Sequence, residues 1–157
     1  MHKLYIKQKV FKITDHYDVL DEAGYPVYQV DQELHFVGYT VHVKKHDGTS
    51  SFVVERRLMS WAPVFEVEFS GGKRIEIVVN FSWTGRDIDL ISEDYQLKIT
   101  GSYWDVEFEI HNEDKLVGKI YREFFSWADV YTIEVLDLDF EDELLAILIA
   151  IDNLKNH

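Results

Sequence analysis

Carboxylates near the C-terminus are the side chains of this 157-residue chain that could most directly do chemistry, because oxygen ligands of this kind bind divalent cations. No Lys or Arg lies between residues 124 and 154. The acidic residues in that interval are Asp129, Glu134, Asp137, Asp139, Glu141, Asp142, Glu143 and Asp152. A run of like charges is more often a solvated face than a cation site, so the solvated face is our first interpretation and the cation site the second.

The other residue types that carry out catalysis or bind metals form no recognisable pattern. There is no Cys, which removes thiolate nucleophiles and thiolate metal sites. The seven His residues show no His-Glu-x-x-His helix, and His42 and His46 fall around a strand end and turn, where exposed polar residues are expected. No Gly-rich loop opens a helix and no Gly-x-Ser-x-Gly sequence occurs. The sequence therefore predicts no catalytic residue, no resident metal and no cofactor.

The net charge and the N-terminus bear on partners and location. The formal net charge of -13 repels phosphate backbones, so nucleic acid is not an expected partner. Charged residues interrupt the apolar ones from residue 1 to residue 9 before the core of a signal peptide can form. We therefore expect a cytoplasmic protein.

An internal repeat determines the predicted fold. Residues 6–13, 54–61 and 120–127 superimpose without gaps, and each is followed by a short turn and another alternating strand, so the repeated unit is a hairpin. Weaker copies fill the gaps between them. The residues at the repeated corner are Ile13, Val37, Trp61, Trp83, Trp104 and Trp127. Recurrence of the four Trp residues at equivalent positions favours packing over ligand stacking.

Six hairpins give twelve strands in one domain that spans residues 1–157. The predicted strands are 4–11, 16–21, 26–34, 39–45, 50–59, 63–69, 73–82, 86–91, 95–100, 104–111, 116–124 and 130–136. A single helix is predicted over 141–154, with Asp139 as its N-cap and acidic residues in its first turn, where the helix dipole favours them.

The helix has no polar side between residues 144 and 151, so it must be enclosed. Eight apolar residues are too few to span a bilayer, which takes about 20. Twelve antiparallel strands remove their exposed edges by closing into a barrel, and a barrel of that size has a lumen that strand side chains alone do not fill. The predicted fold is mainly β, a closed twelve-stranded antiparallel barrel around a central C-terminal hydrophobic helix.

Alternation in the three clear repeats places a few polar residues inside the barrel. Gln8, Arg56 and Arg122 share the inward face with aliphatic residues and with Phe124. A buried Arg needs a partner, and Asp152 on the apolar helix is a suitable one. The alternative is that Asp152 reaches solvent at the far end of the barrel, and the sequence does not separate the two.

The repeated corner, the opening residues 4–9 and the ending 139–152 resemble the LURP-one-related family. That family belongs to the same structural superfamily as the tubby C-terminal domain and the phospholipid scramblases. The resemblance covers essentially the whole chain and implies the same barrel around a central helix. Because no catalytic motif is present, we expect a non-enzymatic domain of this superfamily.

The resemblance suggests two further sites. In scramblases calcium and membrane binding are attributed to the region around the helix, which implies Asp137, Asp139 and Glu141 as calcium candidates here. Tubby-type domains bind phosphoinositide head groups through basic clusters. The basic pairs in this chain are Lys44 with Lys45, Arg56 with Arg57, and Lys73 with Arg74, and none matches the tubby site position by position. Pairs like these are more often solvated strand faces.

Three functions follow from the sequence. The first is a soluble, non-enzymatic binding or scaffold domain with an unknown protein partner. The second is a peripheral protein that binds phospholipid or phosphoinositide, with calcium dependence as an option, and that is not an integral membrane protein. The third is a carrier or small enzyme for an apolar ligand, which would need space that the helix otherwise occupies.

Overall fold

Twelve strands and one α-helix make up the fold in the computed structural model, which describes residues 2–7, 15–35, 38–57, 62–82, 85–102, 105–125 and 128–156. The strands are β1 His2–Lys7, β2 His16–Leu20, β3 Pro26–His35, β4 Gly38–Lys45, β5 Ser51–Arg56, β6 Val64–Phe69, β7 Arg74–Ser82, β8 Gly85–Ile91, β9 Gln96–Ser102, β10 Glu107–Asn112, β11 Lys115–Phe125 and β12 Ala128–Val135. The helix α1 is Glu141–Asn156. The six predicted corner residues and Gln8 lie outside the described residues.

The strands form one closed antiparallel barrel in which each strand pairs with its neighbours in sequence. Closure is made by β1 and β12, whose register runs from His2 opposite Val135 to Lys7 opposite Val130. Both the twelve-stranded barrel and the helix position are confirmed. Because consecutive strands run in opposite directions, the barrel has two distinct mouths. The end where α1 begins, with the turns at 21–25, 46–50, 70–73, 92–95 and 113–114, is here called the near mouth; the opposite end is the far mouth.

The core is the contact between the inner barrel wall and α1. Alternate side chains of the strands point inward, as Val41 and Val43 do in β4 and as Ile75 and Ile77 do in β7, and all four are buried. Every residue of α1 from 144 to 151 is at most 1% exposed. The helix is therefore enclosed by protein on all sides, as its composition requires. In the described part of the chain, no helix is long and apolar enough to span a membrane.

The helix begins at Glu141 as predicted, but its cap differs from the prediction. A short 3-10 turn, Leu138–Phe140, precedes the helix, so Asp139 lies inside that turn instead of capping α1. The capping side chain is Asp137, whose Oδ1 accepts a hydrogen bond of 3.1 Å from the backbone N–H of Asp139. The extra turn moves the cap two residues towards the N-terminus.

Phe124 is a second correction. It was predicted to lie inside the barrel, yet its side chain is 71% exposed. It lies near the end of β11 at the far mouth, where its ring contacts the guanidinium of Arg122, with 4.8 Å between Cζ and the ring centroid. Alternation assigns side chains to one face of a strand or the other, but it does not show where the enclosed length of a strand stops.

Gly118 of β11 marks a close approach between the helix and the wall. A Cβ at this position would lie 2.6 Å from Cδ1 of Leu144 and 3.0 Å from the backbone oxygen of Glu134. Only the absence of a side chain allows Leu144 to pack here. Gly71, in the turn between β6 and β7, has no neighbouring atom within 4 Å of the same test position.

We predict that Gly118→Ala destabilises the protein by about 1–3 kcal/mol through overpacking against Leu144. Gly71→Ala is the matched control and should change the free energy of unfolding by only about 0.5 kcal/mol or less. Urea unfolding followed by circular dichroism measures both. In the double variant Gly118→Ala, Leu144→Ala, the loss of stability should be smaller than the sum of the losses in the two single variants. Strictly additive losses would show that the two residues do not compete for space.

We also predict that truncation after Asp139 abolishes the folded barrel, because the inner wall would then face an empty lumen. Near-ultraviolet circular dichroism and thermal unfolding should show no cooperative structure. Deletion of His157 alone is the control and should leave the melting temperature unchanged. A truncated chain that melts cooperatively would contradict the structural role assigned to α1.

Candidate functional site

Three ion pairs surround the start of α1 at the near mouth. Lys45 Nζ lies 3.5 Å from Glu141 Oε2, Lys73 Nζ lies 3.9 Å from Glu143 Oε1, and Lys115 Nζ lies 3.0 Å from Asp137 Oδ2. The lysines come from β4, from the turn after β6 and from β11, so they approach from different sides of the barrel. We call these six residues the collar. The collar joins the wall of the barrel to the first residues of the helix.

Tyr28 of β3 contributes a buried hydroxyl to the collar. Its Oη lies 2.7 Å from Glu141 Oε2 and 2.6 Å from Asp142 Oδ1. The hydroxyl carries one proton and therefore donates to one of these carboxylates at a time. Burial raises the pKa of Tyr28 well above its ordinary value, and the negative charges of Asp142 and Glu141 raise it further. His2 also contacts Glu141 through Nε2, so this carboxylate has three partners from the wall.

The calcium candidates are not brought together into a metal site. Asp137 is bound to Lys115 and caps the 3-10 turn, Glu141 is held by Lys45 and Tyr28, and Asp139 is exposed. The hydrogen bond from Lys115 holds the pKa of Asp137 below its usual range. Within the described ranges, no three His, Asp or Glu side chains converge closely enough to hold a metal ion. The lysines of the wall take the place that a cation would have.

The four head-group candidates, Lys44, Lys45, Lys73 and Arg74, all lie at the near mouth. Lys45 and Lys73 belong to the collar, and Arg74 lies 3.5 Å from Glu68. Lys45 and Arg74 are thus paired with carboxylates of the protein itself, and Lys73 lies between Glu143 and Tyr95. An anionic ligand would have to compete with those carboxylates.

Glu143 has the least favourable position in the collar. It is only 4% exposed, its Oε2 has no hydrogen-bond partner, and its Oε1 is at the long distance of 3.9 Å from Lys73. The ammonium of Lys73 is held more closely by Tyr95, whose hydroxyl it contacts at 2.5 Å and whose ring centroid is 4.4 Å away. Burial raises the pKa of Glu143 to about 7, against the opposing effect of Lys73.

A second polar cluster surrounds the C-terminal part of α1, deeper in the barrel. Tyr39 donates a hydrogen bond of 2.7 Å from its hydroxyl to Gln32 Oε1. Arg56 donates one of 3.0 Å from Nη1 to Asn153 Oδ1. Burial raises the pKa of Tyr39, and the negative charge of Asp152 raises it further.

This cluster revises the predicted polar core of Arg56, Arg122 and Asp152. Asp152 is only 1% exposed, so the alternative that it reaches solvent is wrong. Arg56 bonds to Asn153 instead of Asp152, and the guanidinium of Arg122 lies on the Phe124 ring. Adjacent residues on a helix point about 100° apart, so the residue that faces β5 is fixed by the rotation of α1 in the lumen.

Sequence reasoning missed the partners that come from the barrel wall. The bonds of Tyr28, His2 and Lys115 to the helix start span more than 20 positions in the sequence, and strand alternation gives only their inward or outward direction. One signal was present. Each lysine of the collar lies at a strand end or a turn on the same side of the hairpins as residue 137, so the hairpin count places them all at one mouth.

The fold and the two polar clusters define a class of protein, a closed barrel built around its own C-terminal helix. The sequence profile of the LURP-one-related family matches residues 2–152. The chain therefore belongs to the LURP-one-related family, as the repeated corner predicted.

The chain is also similar to two other proteins. The chain is similar to the uncharacterised protein YxjI of Bacillus subtilis (strain 168), with 22% identity over 155 residues that cover 97% of this chain and 93% of that protein. Its fold is similar to the X-ray structure of a protein from Arabidopsis thaliana, with a TM-score of 0.58, 15% identity, and coverage of 98% of this chain and 91% of that one. At this identity the second likeness shows the fold alone.

We predict that Tyr28→Phe lowers stability by about 1.5–3 kcal/mol, because it removes a buried hydrogen bond to a charged group. Tyr25→Phe is the matched control, since Tyr25 is largely exposed in the turn after β2 and should tolerate the change. Chemical unfolding at pH 7 measures both variants. Equal, small effects would mean that the Tyr28 hydroxyl does not help to hold the helix start.

Proposed function

We propose that this protein is a non-enzymatic binding or scaffold domain that engages a protein partner through the outer surface of the barrel. The observation that supports this most directly is the enclosed helix. Residues 144–151 have almost no exposed surface, so α1 takes the volume that a ligand would use in other barrels of this width. A partner is then left with the outer wall and the rims.

The use of the polar groups inside the barrel supports the same proposal. Tyr28, Lys45 and Arg56 are directed at the helix, and each makes its described contacts there. A catalytic site instead needs polar groups that converge on a space where a substrate fits. Tyr28, Lys45 and Arg56 instead hold α1 in place.

The outer wall offers surfaces of suitable size. A groove of about 470 Å³ crosses β4, β5 and β6, with Lys44, Val53 and Glu68 among its lining residues. Another, of about 400 Å³, lies beside Tyr5, Leu20 and Val130 where β1, β2 and β12 meet. Both combine apolar and charged side chains, the composition of protein interfaces that form and dissociate.

Native mass spectrometry of freshly purified protein separates this function from a ligand carrier. We expect the mass of the polypeptide alone. Co-purification of a stoichiometric small molecule would contradict the proposal, because it would show that the barrel holds a ligand in addition to α1.

Liposome flotation separates the scaffold function from phospholipid binding. We expect no co-flotation with vesicles that contain phosphatidylserine or phosphoinositide, with or without calcium, because Glu141 and Glu68 already pair with Lys45 and Arg74, and Lys73 is held by Tyr95. Lys44→Glu is the matched variant if binding occurs. Co-flotation that this variant abolishes would replace the scaffold proposal with a membrane function.

A further inference from the structure

Glu143 is buried in a position that suits a neutral acid better than a carboxylate. Its side chain is enclosed by the near mouth, one oxygen has no partner, and the other is 3.9 Å from the only described cation beside it. A buried charge is costly unless hydrogen bonds and an opposite charge compensate it closely. Glu141, two residues earlier, shows such compensation, with Lys45, Tyr28 and His2 around it.

The groups that face Glu143 come from three elements. Lys73 belongs to the turn between β6 and β7, Tyr95 precedes β9, and Asp139 and Asp142 belong to its own segment. Lys73 and the backbone N–H of Glu143 favour the charged form of its carboxyl, whereas both aspartates disfavour it. Lys73 is also drawn away by the aromatic rings of Tyr95 and Phe69, at 4.4 and 5.4 Å from their centroids. The balance leaves a proton on Glu143 more favourable than in water.

We propose that Glu143 is a pH-sensitive latch for the start of α1. As a neutral acid it holds the first turn of the helix inside the near mouth, and its ionisation loosens that turn. The rest of the collar, with Lys115 on Asp137 and Lys45 on Glu141, keeps the segment attached while the turn opens. The latch is independent of the proposed scaffold function, since it concerns only how the helix is seated.

The direction of the pH effect follows from linkage. The pKa of Glu143 is raised from 4.5 to about 7 when the mouth is closed, so between these values the closed state holds a proton that the open state has lost. The stabilisation is complete below pH 4.5 and is lost as the pH rises towards and through 7. Opening therefore becomes easier with rising pH and levels off above about pH 8.

Hydrogen exchange followed by mass spectrometry tests the latch on the full chain. After correction for intrinsic exchange, protection of the α1 amides from Leu145 to Leu148 should fall by at least about tenfold between pH 5 and pH 8. In Glu143→Gln, which keeps the shape without the ionisation, the same amides should show little change. Glu109→Gln, on the exposed outer face of β10, is the control and should behave like the wild type.

Two results would overturn the latch. The first is an equal pH dependence in the wild type and in Glu143→Gln. The second is an equal loss of protection in α1 and in the amides of β4, which would mean that the whole barrel, and not the mouth, responds to pH.

A second variant keeps the test valid if Glu143→Gln does not fold. Lys73→Met removes the cation that favours the ionised form, so the loss of protection should move to higher pH. A shift to lower pH, or no shift, would contradict the assignment of the transition to Glu143.

Discussion

The enclosed contact between α1 and the barrel wall is the interaction on which the rest of the structure depends. A closed sheet of twelve strands satisfies its backbone hydrogen bonds and leaves no edge, but it creates a lumen that must be filled. A helix of 16 residues is about 24 Å long and supplies that filling. Neither part is stable without the other, since the wall would surround a void and the helix would expose an apolar surface on every side.

Opposite charges meet where the helix enters the barrel. The acidic residues before and within the first turn are placed where a helix dipole favours them, and the lysines at the near mouth meet them. The same acidic run that could suggest a cation site, and the same lysines that could suggest a lipid site, therefore neutralise each other. Glu143 is the exception, and the reason is geometric: its closest cation is held by aromatic rings instead.

Much of the fold could be predicted because the sequence repeats. Hairpins of similar length recur, and the alternation within them shows which side chains turn inward, so the strand count, the closure and the central helix all follow. Phe124 shows the limit of that reasoning. Alternation assigned it to the inner face of β11, yet it is exposed, because exposure depends on where the far mouth ends, and local pattern carries no information about that boundary.

The candidate site also contains features that the sequence predicted and features that it did not. Asp152 was expected in a polar core from its isolation on an apolar helix, and it is buried. Its predicted partnership with Arg56 was displaced to Asn153 because the rotation of a helix inside a barrel is set by packing, as at Gly118 and Leu144.

The sequence by itself determined that twelve strands must close around a helix with no polar side, since the apolar composition of the helix and the alternation of the strands decide which side chains are buried. The tertiary structure alone decided which carboxylate meets which lysine, because those distances depend on the depth and rotation of α1 in the lumen.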